Sequence, residues 1–283
     1  GALVFLTKSK GAVREFVYSD ISQAYNADAL TLLSPHIIGV PSQMISQREA
    51  QDQVEAYLYL VNSDGKMPVF MSIRKEQLQG WCEWSTQGNF KNLVNVNRQV
   101  YSIVERTINN STVTNLELLD NTYHTDCASK QTASATKNWT VAHLPNTQVV
   151  VKSGNYSMGT YTTNGSGQLT LTDAVTSVEI GLNFTPELTT LPPEFQLSDG
   201  ISVGQKRRVV RAVLDLNETL DVKTKGTNIL IRRVTDDFSL EPTPITERKE
   251  VYLLGWGKEG TVTITQDQPL PLTINGLLLE VEV

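Results

Sequence analysis

Cysteine and histidine are scarce in this 283-residue chain: two of the first, Cys82 and Cys127, and three of the second, His36, His124 and His143. Two thiols cannot supply the disulfide framework of a small secreted scaffold. They can form one bridge at most, and two free thiols are the simpler expectation. Long apolar runs are lacking as well. The stretch 274–281 is interrupted by Asn275 and Glu280 and falls far short of the roughly 20 residues of a membrane-spanning helix. The opening residues, GALVFLTKSKG, have neither the basic start nor the long apolar centre of a secretory signal. Charge of one sign is not concentrated anywhere. Lys and Arg number 24 against 30 Asp and Glu, a net charge of −6. The basic and acidic groups are 11 and 13 over residues 1–132, 2 and 5 over 133–200, and 11 and 12 over 201–283. No segment offers the strongly basic face that tight duplex binding requires.

What the chain does have is short alternating segments rich in Thr, Ser, Asn and Val, the profile of strands and turns. REFVYSD (14–20) alternates apolar and polar residues as a half-buried strand does. Residues 26–37 read as a loop with one helical turn, closed by Pro35, and residues 45–56 read as a short helix. From Ala56 the pattern is β: AYLYLV, the turn NSDG, then MPVFMSIR, with Asn62, Asp64 and Gly65 suited to a hairpin. GWCEW follows, with Trp81 and Trp84 near the ends of a short strand, and Gly88 and Asn109/Asn110 mark further turns. Five or six strands between 56 and 120 meander without a helix, as propeller blades and sandwiches do. Residues 121–136 are small, polar and aperiodic and read as a linker. The fold class expected is therefore all-β: a propeller-like meander over 1–120, a small β-sandwich or barrel over 137–192, and a C-terminal β domain over 201–283. GWGKEG (255–260) reads as a hairpin turn with an aromatic anchor.

Chemistry-bearing clusters are few. Cys82, His124, Asp126 and Cys127 hold only three soft ligands, one of them remote, where a closed zinc site needs four. No cofactor is expected. None of the three histidines sits in a nucleophile elbow or a readable Cys–His pair. Asp236 and Asp237 resemble a solvated turn more than the two facing acids of a glycosidase. Two basic knots, Lys206/Arg207/Arg208 and Arg232/Arg233, are the candidate contacts to phosphate or to a neighbouring subunit. Alternation along a strand lets at most half of each knot face one way. Charged protection of an edge strand is an equally good use of them. Glycosylation sequons begin at Asn109, Asn110, Asn138, Asn155, Asn164, Asn183 and Asn217, a mild excess for a chain with many Asn, Ser and Thr in turns. Trp81, Trp84, Trp139 and Trp256 are candidates for stacking on sugar rings, although core packing is the ordinary use of each.

Several strings in order resemble the tail tubular protein B, or tail nozzle, family of short-tailed bacteriophages. They are LVFLTKSKGAVREFVYSD, the run from AYLYLVNSDGKMPVF through GWCEWSTQGNF, then VYSIVERTINNSTVTNLELLD, KRRVVRAVLDL and the closing GTVTITQDQPLPLTINGLLLEVEV. The resemblance spans almost the whole chain but carries no active-site signature. It implies a non-enzymatic structural protein of the virion tail, assembled in the host cytoplasm. Six copies would form a ring beneath the portal and adaptor, in contact with fibre proteins, and DNA would pass through without tight binding. The alternative from the residues alone is a β module that binds cell-surface glycan. A third is a depolymerase built on a carboxylate pair.

Overall fold

The structure is a computed structural model, and it describes all residues except 1–2, 10, 21–22, 49–54, 198–199, 202–203 and 234. Strands make up 58% of the described residues. The described residues contain no α-helix, only 3-10 turns at Pro35–Ile37 and Arg74–Glu76. The chain is all-β, and its contacts divide it into two compact units, Gly1–Asn121 and Thr122–Val283.

Three antiparallel sheets make the first unit. β1 (Leu3–Leu6), β2 (Val13–Ser19) and β3 (Ala24–Ala29) form the first. β4 (Pro41–Gln47), β5 (Ala56–Asn62), β6 (Met67–Ile73) and β7 (Leu78–Trp84) form the second, and β8 (Asn89–Val96), β9 (Gln99–Ile108) and β10 (Ser111–Leu118) the third. Neighbours in each sheet are consecutive in the chain, and tight turns connect β5 to β6, β8 to β9 and β9 to β10. Gly65 illustrates why. Its φ is +84°, and a Cβ there would lie 2.3 Å from the Asn89 side-chain oxygen, so only glycine fits the β5–β6 turn. Asn109 and Asn110, with φ of 50° and 59°, supply the two left-handed residues of the β9–β10 hairpin.

The middle sheet is covered on both faces. Successive residues of β5 point in opposite directions, and both directions are apolar. Leu58 and Leu60, with Phe70 of β6, pack with Val13 and Ile38 against the first sheet, joined by Val4, Leu6, Met44 and Trp81. Tyr59 and Val61, with Met67 and Val69, pack against Phe90, Leu93, Val100 and Val104 of the third. The result is three stacked layers with two apolar junctions. Each buried side chain of this size contributes ~1.5–3 kcal/mol. The edge of β8 is closed by a side chain: the Gln43 amide donates to the Leu93 carbonyl at 2.7 Å and accepts the Leu93 N–H at 2.7 Å.

In the second unit, β11 (Asp126–Thr140), β12 (Gln148–Ser153), β13 (Tyr156–Thr162) and β14 (Gln168–Leu182) form a sheet of order β11-β14-β12-β13. Next come β15 (Glu187–Thr189), β16 (Gln196–Leu197), β17 (Gly200–Ile201), β18 (Arg208–Leu216), β19 (Lys223–Thr224) and β20 (Thr227–Asn228), followed by β21 (Arg248–Tyr252), β22 (Thr263–Thr265) and β23 (Ile274–Glu282). They pair as β15-β22-β19-β20, β16-β17 and β21-β18-β23. The inward side chains of β18, Val209, Ala212, Leu214 and Leu216, meet Val222, Leu253, Val262 and Ile264 in one core.

Four local readings are corrected. Residues 24–29, which overlap the start of the 26–37 stretch taken for a loop, form β3, and the helical turn is confined to Pro35–Ile37. The helix read at 45–56 is instead strand through Gln47, and 49–54 lie outside the described residues. The linker read at 121–136 is largely β11, a 15-residue strand paired with β14 through several register shifts. Most of its side chains are exposed or half-buried, so it carries no apolar alternation. GWGKEG is not a hairpin turn: β21 before it and β22 after it belong to different sheets.

Candidate functional site

The structure brings the second basic knot and the acidic pair together. Arg232, Arg233, Asp236 and Asp237 line an open cleft of about 510 Å³, built from the irregular segment between β20 and β21 and including Leu240, Glu241 and Glu247. Polar side chains here mostly serve the loop's own backbone. Arg232 Nη2 donates to the Asp237 carbonyl at 2.5 Å and to the Leu240 carbonyl at 3.3 Å, and its guanidinium lies 4.5 Å from the Phe238 ring centre. Asp236 Oδ2 accepts the Arg233 N–H at 2.8 Å. Asp237 Oδ1 accepts from the Ser239 hydroxyl at 2.6 Å and the Ser239 N–H at 2.9 Å. Those bonds hold the Asp237 carboxyl below the usual carboxylate range. A general acid at neutral pH needs the opposite shift. The Arg233 guanidinium is 3.5 Å from Glu247, whose pKa is lowered by its bond to Lys249 and by Arg233. Both carboxylates are therefore turn caps, and both arginines are committed within the loop.

A hairpin clamps the same loop from the side. Glu241 accepts the Asn155 N–H at 2.6 Å, and Asn155 Nδ2 donates to the Pro242 carbonyl at 2.9 Å. A Cβ on Gly154 would stand 2.3 Å from the Glu241 carboxylate, and its φ is +54°. The Asn155 sequon thus uses its amide nitrogen to hold the loop.

The first knot straddles the entry to β18: Lys206 precedes the strand, Arg207 sits in an isolated bridge with Gly257, and Arg208 opens the strand. Lys206 is exposed, whereas Arg207 is buried, donating to the Pro193 carbonyl and lying 3.5 Å from Glu194. Arg207 is corrected from a surface contact to an internal tie. Arg208 points outward, pairs with Glu282 at 2.6 Å and lies 5.3 Å from the Trp256 ring. On the same outer face Arg211 pairs with Glu280 at 2.9 Å and Glu250 at 3.2 Å, and Arg248 lies 3.7 Å from Asp215. Each cation is met by an acid on the adjacent strand.

The remaining candidates separate. Cys82 is on β7 in the first unit; His124, Asp126 and Cys127 are at the start of the second. Among the described residues no group of three His, Cys, Asp or Glu could hold a metal ion. His36 is exposed in the first 3-10 turn, and His143 Nε2 meets the Cys127 carbonyl at 2.9 Å. Sequence reasoning missed a half-buried cluster around His124. Its Nδ1 is 3.0 Å from Lys152 Nζ, and Glu179 accepts the His124 N–H at 2.5 Å and the Thr125 hydroxyl at 3.0 Å. Burial first, then Lys152, lowers the His124 pKa. Burial likewise lowers that of Lys152. No sequence spacing announces this cluster, because its members come from β12, β14 and the segment before β11. Within neither unit do the tryptophans make an exposed platform. Trp139 is buried, Trp81 donates to the Leu30 carbonyl at 2.8 Å against Phe70, and only Trp84 and Trp256, in different units, expose over a third of their surface.

No protein-family model matches the chain, and no curated protein is significantly similar to it. Among the described residues no helix is long and apolar enough to cross a membrane.

Proposed function

We propose that the chain is a structural, non-enzymatic part of a bacteriophage tail, one copy in the six-fold nozzle ring below the portal and adaptor. In this reading the three stacked sheets of the first unit are consecutive propeller-like blades, and fibre proteins dock on the assembled ring in the virion. DNA leaves through the channel without being held. The resemblance along the chain motivates the reading, and one structural observation supports it: the arginines of the basic knots and of the sheet β21-β18-β23 are already matched or buried. Arg208, Arg211, Arg233 and Arg248 each face a carboxylate, and Arg207 is buried. A conduit benefits from such a surface, since every free phosphate contact adds a salt-dependent hold on the strand. Short turns and long antiparallel strands also suit a wall that must not yield under pressure.

The test is negative-stain imaging of the chain purified together with its adaptor ring. Six-fold rings with an open channel are expected. Copies that never join a ring in the adaptor's presence would overturn the reading.

A further inference from the structure

The three-sheet stack of the first unit ends in an apolar face at both ends. In the first sheet β2 turns Val13 inward and Phe16 and Tyr18 outward. Register sets Leu3, Phe16 and Ala27 in one row and Tyr18 and Tyr25 in the next. Leu3 is 64% and Tyr25 65% exposed. Phe16 and Tyr25 stack on each other with ring centres 4.9 Å apart and planes 4° from parallel, so each spends one ring face on the other. That arrangement makes an apolar surface edged by Arg14, which donates to the Ala27 carbonyl at 2.7 Å, and it is a poor one for a sugar, which needs an open ring face.

The third sheet ends the same way. Even-numbered residues of β9 are buried and Tyr101 and Ile103 point out. Val94, Tyr101 and Leu118 form one row across the sheet, and Asn92, Ile103 and Leu116 the next. Leu116 is 70% exposed. The patch is bounded by the Lys91–Glu105 ion pair and by threonines of β9 and β10. Ordinary antiparallel sheets with one wet side place polar residues there; this one does so at Asn92, Gln99, Glu105, Thr107, Thr112 and Thr114 but gathers Val94, Tyr101, Ile103, Leu116 and Leu118 into one exposed apolar patch.

We infer that these two faces are the two halves of one contact between copies of this chain, the first-sheet face of one copy seated on the third-sheet face of the next. This rests on the ring reading above and names the surface that would build it. Both junctions inside the unit are apolar sheet on apolar sheet, and the proposed contact repeats that junction between molecules. The middle sheet lies between the two ends, so the stack cannot cover them by folding on itself, whereas a second copy carries the face each end needs. Using two different faces makes the contact heterologous, the kind that closes into a ring. The area is sufficient. Each face exposes on the order of 400 Å² of apolar side chain, well into the range of a monomer's largest and often functional patch. One contact would bury about 800 Å² of apolar surface, which at the usual apolar share of about 60% implies about 1,300 Å² in all, within the range of stable interfaces.

The experiment uses the whole chain and two exposed-site variants, Phe16→Lys on the first face and Leu116→Lys on the third. Mass is measured by light scattering over a concentration series. Far-ultraviolet dichroism and the thermal midpoint confirm that both variants fold. Wild-type chain is expected to assemble, more strongly in sulfate, and each variant to weaken assembly at least tenfold. Mixing the variants should restore a species of two copies and nothing larger, because only one intact pair of faces remains and both outer ends are blocked. A wild-type chain that stays monomeric at every concentration overturns the contact. So does assembly that neither variant weakens, and that result would leave the ring reading standing on another surface. Loss with Leu116→Lys that mixing cannot rescue would also overturn it, since the face would then meet its own kind. Face-dependent pairing that never closes a ring with the adaptor would support the contact and remove the ring.

Discussion

Asp221 shows how one carboxyl can count against its own fold. Its Oδ2 is sealed from water without a partner. Burial, then the neighbouring Asp267, push its pKa up, against a weaker pull from the N–H groups of Gln268 and Asp267. A carboxyl with a folded pKa above the ordinary 3.8 binds its proton more readily when folded. Its contribution is therefore favourable in acid and is lost as pH rises through the window above 3.8. Asp221→Asn has no charge to desolvate, and its amide can donate to the sealed, unpartnered Oδ1 of Asp267. The variant is expected to raise the thermal midpoint at neutral pH by about 2 °C and to make no gain below the carboxyl range. A midpoint lowered at neutral pH would show that the charge is needed. His124 works in the opposite direction. Its Nδ1 lies 3.0 Å from Lys152 Nζ, and burial together with Lys152 and Lys130 holds its pKa under 6.5 against the pull of Glu179. The stability it provides is full above 6.5 and is lost as pH falls through the folded value. A calorimetric pH series should show that slope in the wild type. His124→Asn, whose side-chain oxygen can accept a Lys152 N–H without titrating, should flatten it; an unchanged slope would assign the pH effect to another group.

At the scale of elements, the third sheet depends on one buried cation. Arg106 of β9 is fully buried and bonds Glu117 of β10 through two nitrogens at 2.7 and 2.6 Å, with a third contact to the Thr86 hydroxyl at 2.6 Å. Removing the acid strands the charge. Glu117→Ala is expected to cost about 3 kcal/mol, read as a lowered urea midpoint, while the exposed neighbour Thr114→Ala should change it little. The loop at the cleft depends on a glycine instead. Gly154→Ala would force the Glu241 carboxylate off Asn155 and strain a left-handed backbone, a loss of about 1–2 kcal/mol. Limited proteolysis should then cut residues 229–247 faster than in the wild type. Both devices explain what was readable in the sequence and what was not. The β5–β6 hairpin was legible because NSDG states its own turn geometry, and β2 because its alternation matches a half-buried face. β3 and β11 were not, since Ala, Asn, Ser, Thr and Lys on exposed faces carry no period of two; pairing with β2 and β14 makes them strands. The stacked layers were written in AYLYLV. An unbroken apolar run in a strand means that both faces are covered, a signal that a count of strands alone passes over. The cleft was half legible: Arg232, Arg233, Asp236 and Asp237 stood out as charges, but their use on the loop's own carbonyls and N–H groups depends on a fold that sequence spacing does not show.

For the whole molecule the decisive quantity is the local balance of charge rather than the total. A net charge of −6 repels DNA only weakly once salt screens it beyond about 10 Å, so a patch of unpaired arginines could still hold a strand. The sheet β21-β18-β23 has the arginines for such a patch and an acid opposite each: Glu282 for Arg208, Glu280 and Glu250 for Arg211, Asp215 for Arg248. Pairs this exposed add little to stability. Their effect on a passing polyanion is larger, because each removes a phosphate contact and the counterion release that goes with it. The wild-type chain is therefore expected to retain no duplex DNA in filter binding at physiological salt. Glu280→Lys combined with Glu282→Lys frees Arg208 and leaves Arg211 with one acid, while adding two cations on the same face. That variant should retain DNA at low salt and lose it with a slope of about −2 to −4 in log affinity against log salt, with an unchanged thermal midpoint. If the wild type binds as steeply as the variant, the matched pairs do not shield phosphate, and the proposal that DNA passes a ring of this chain without being held would lose its support.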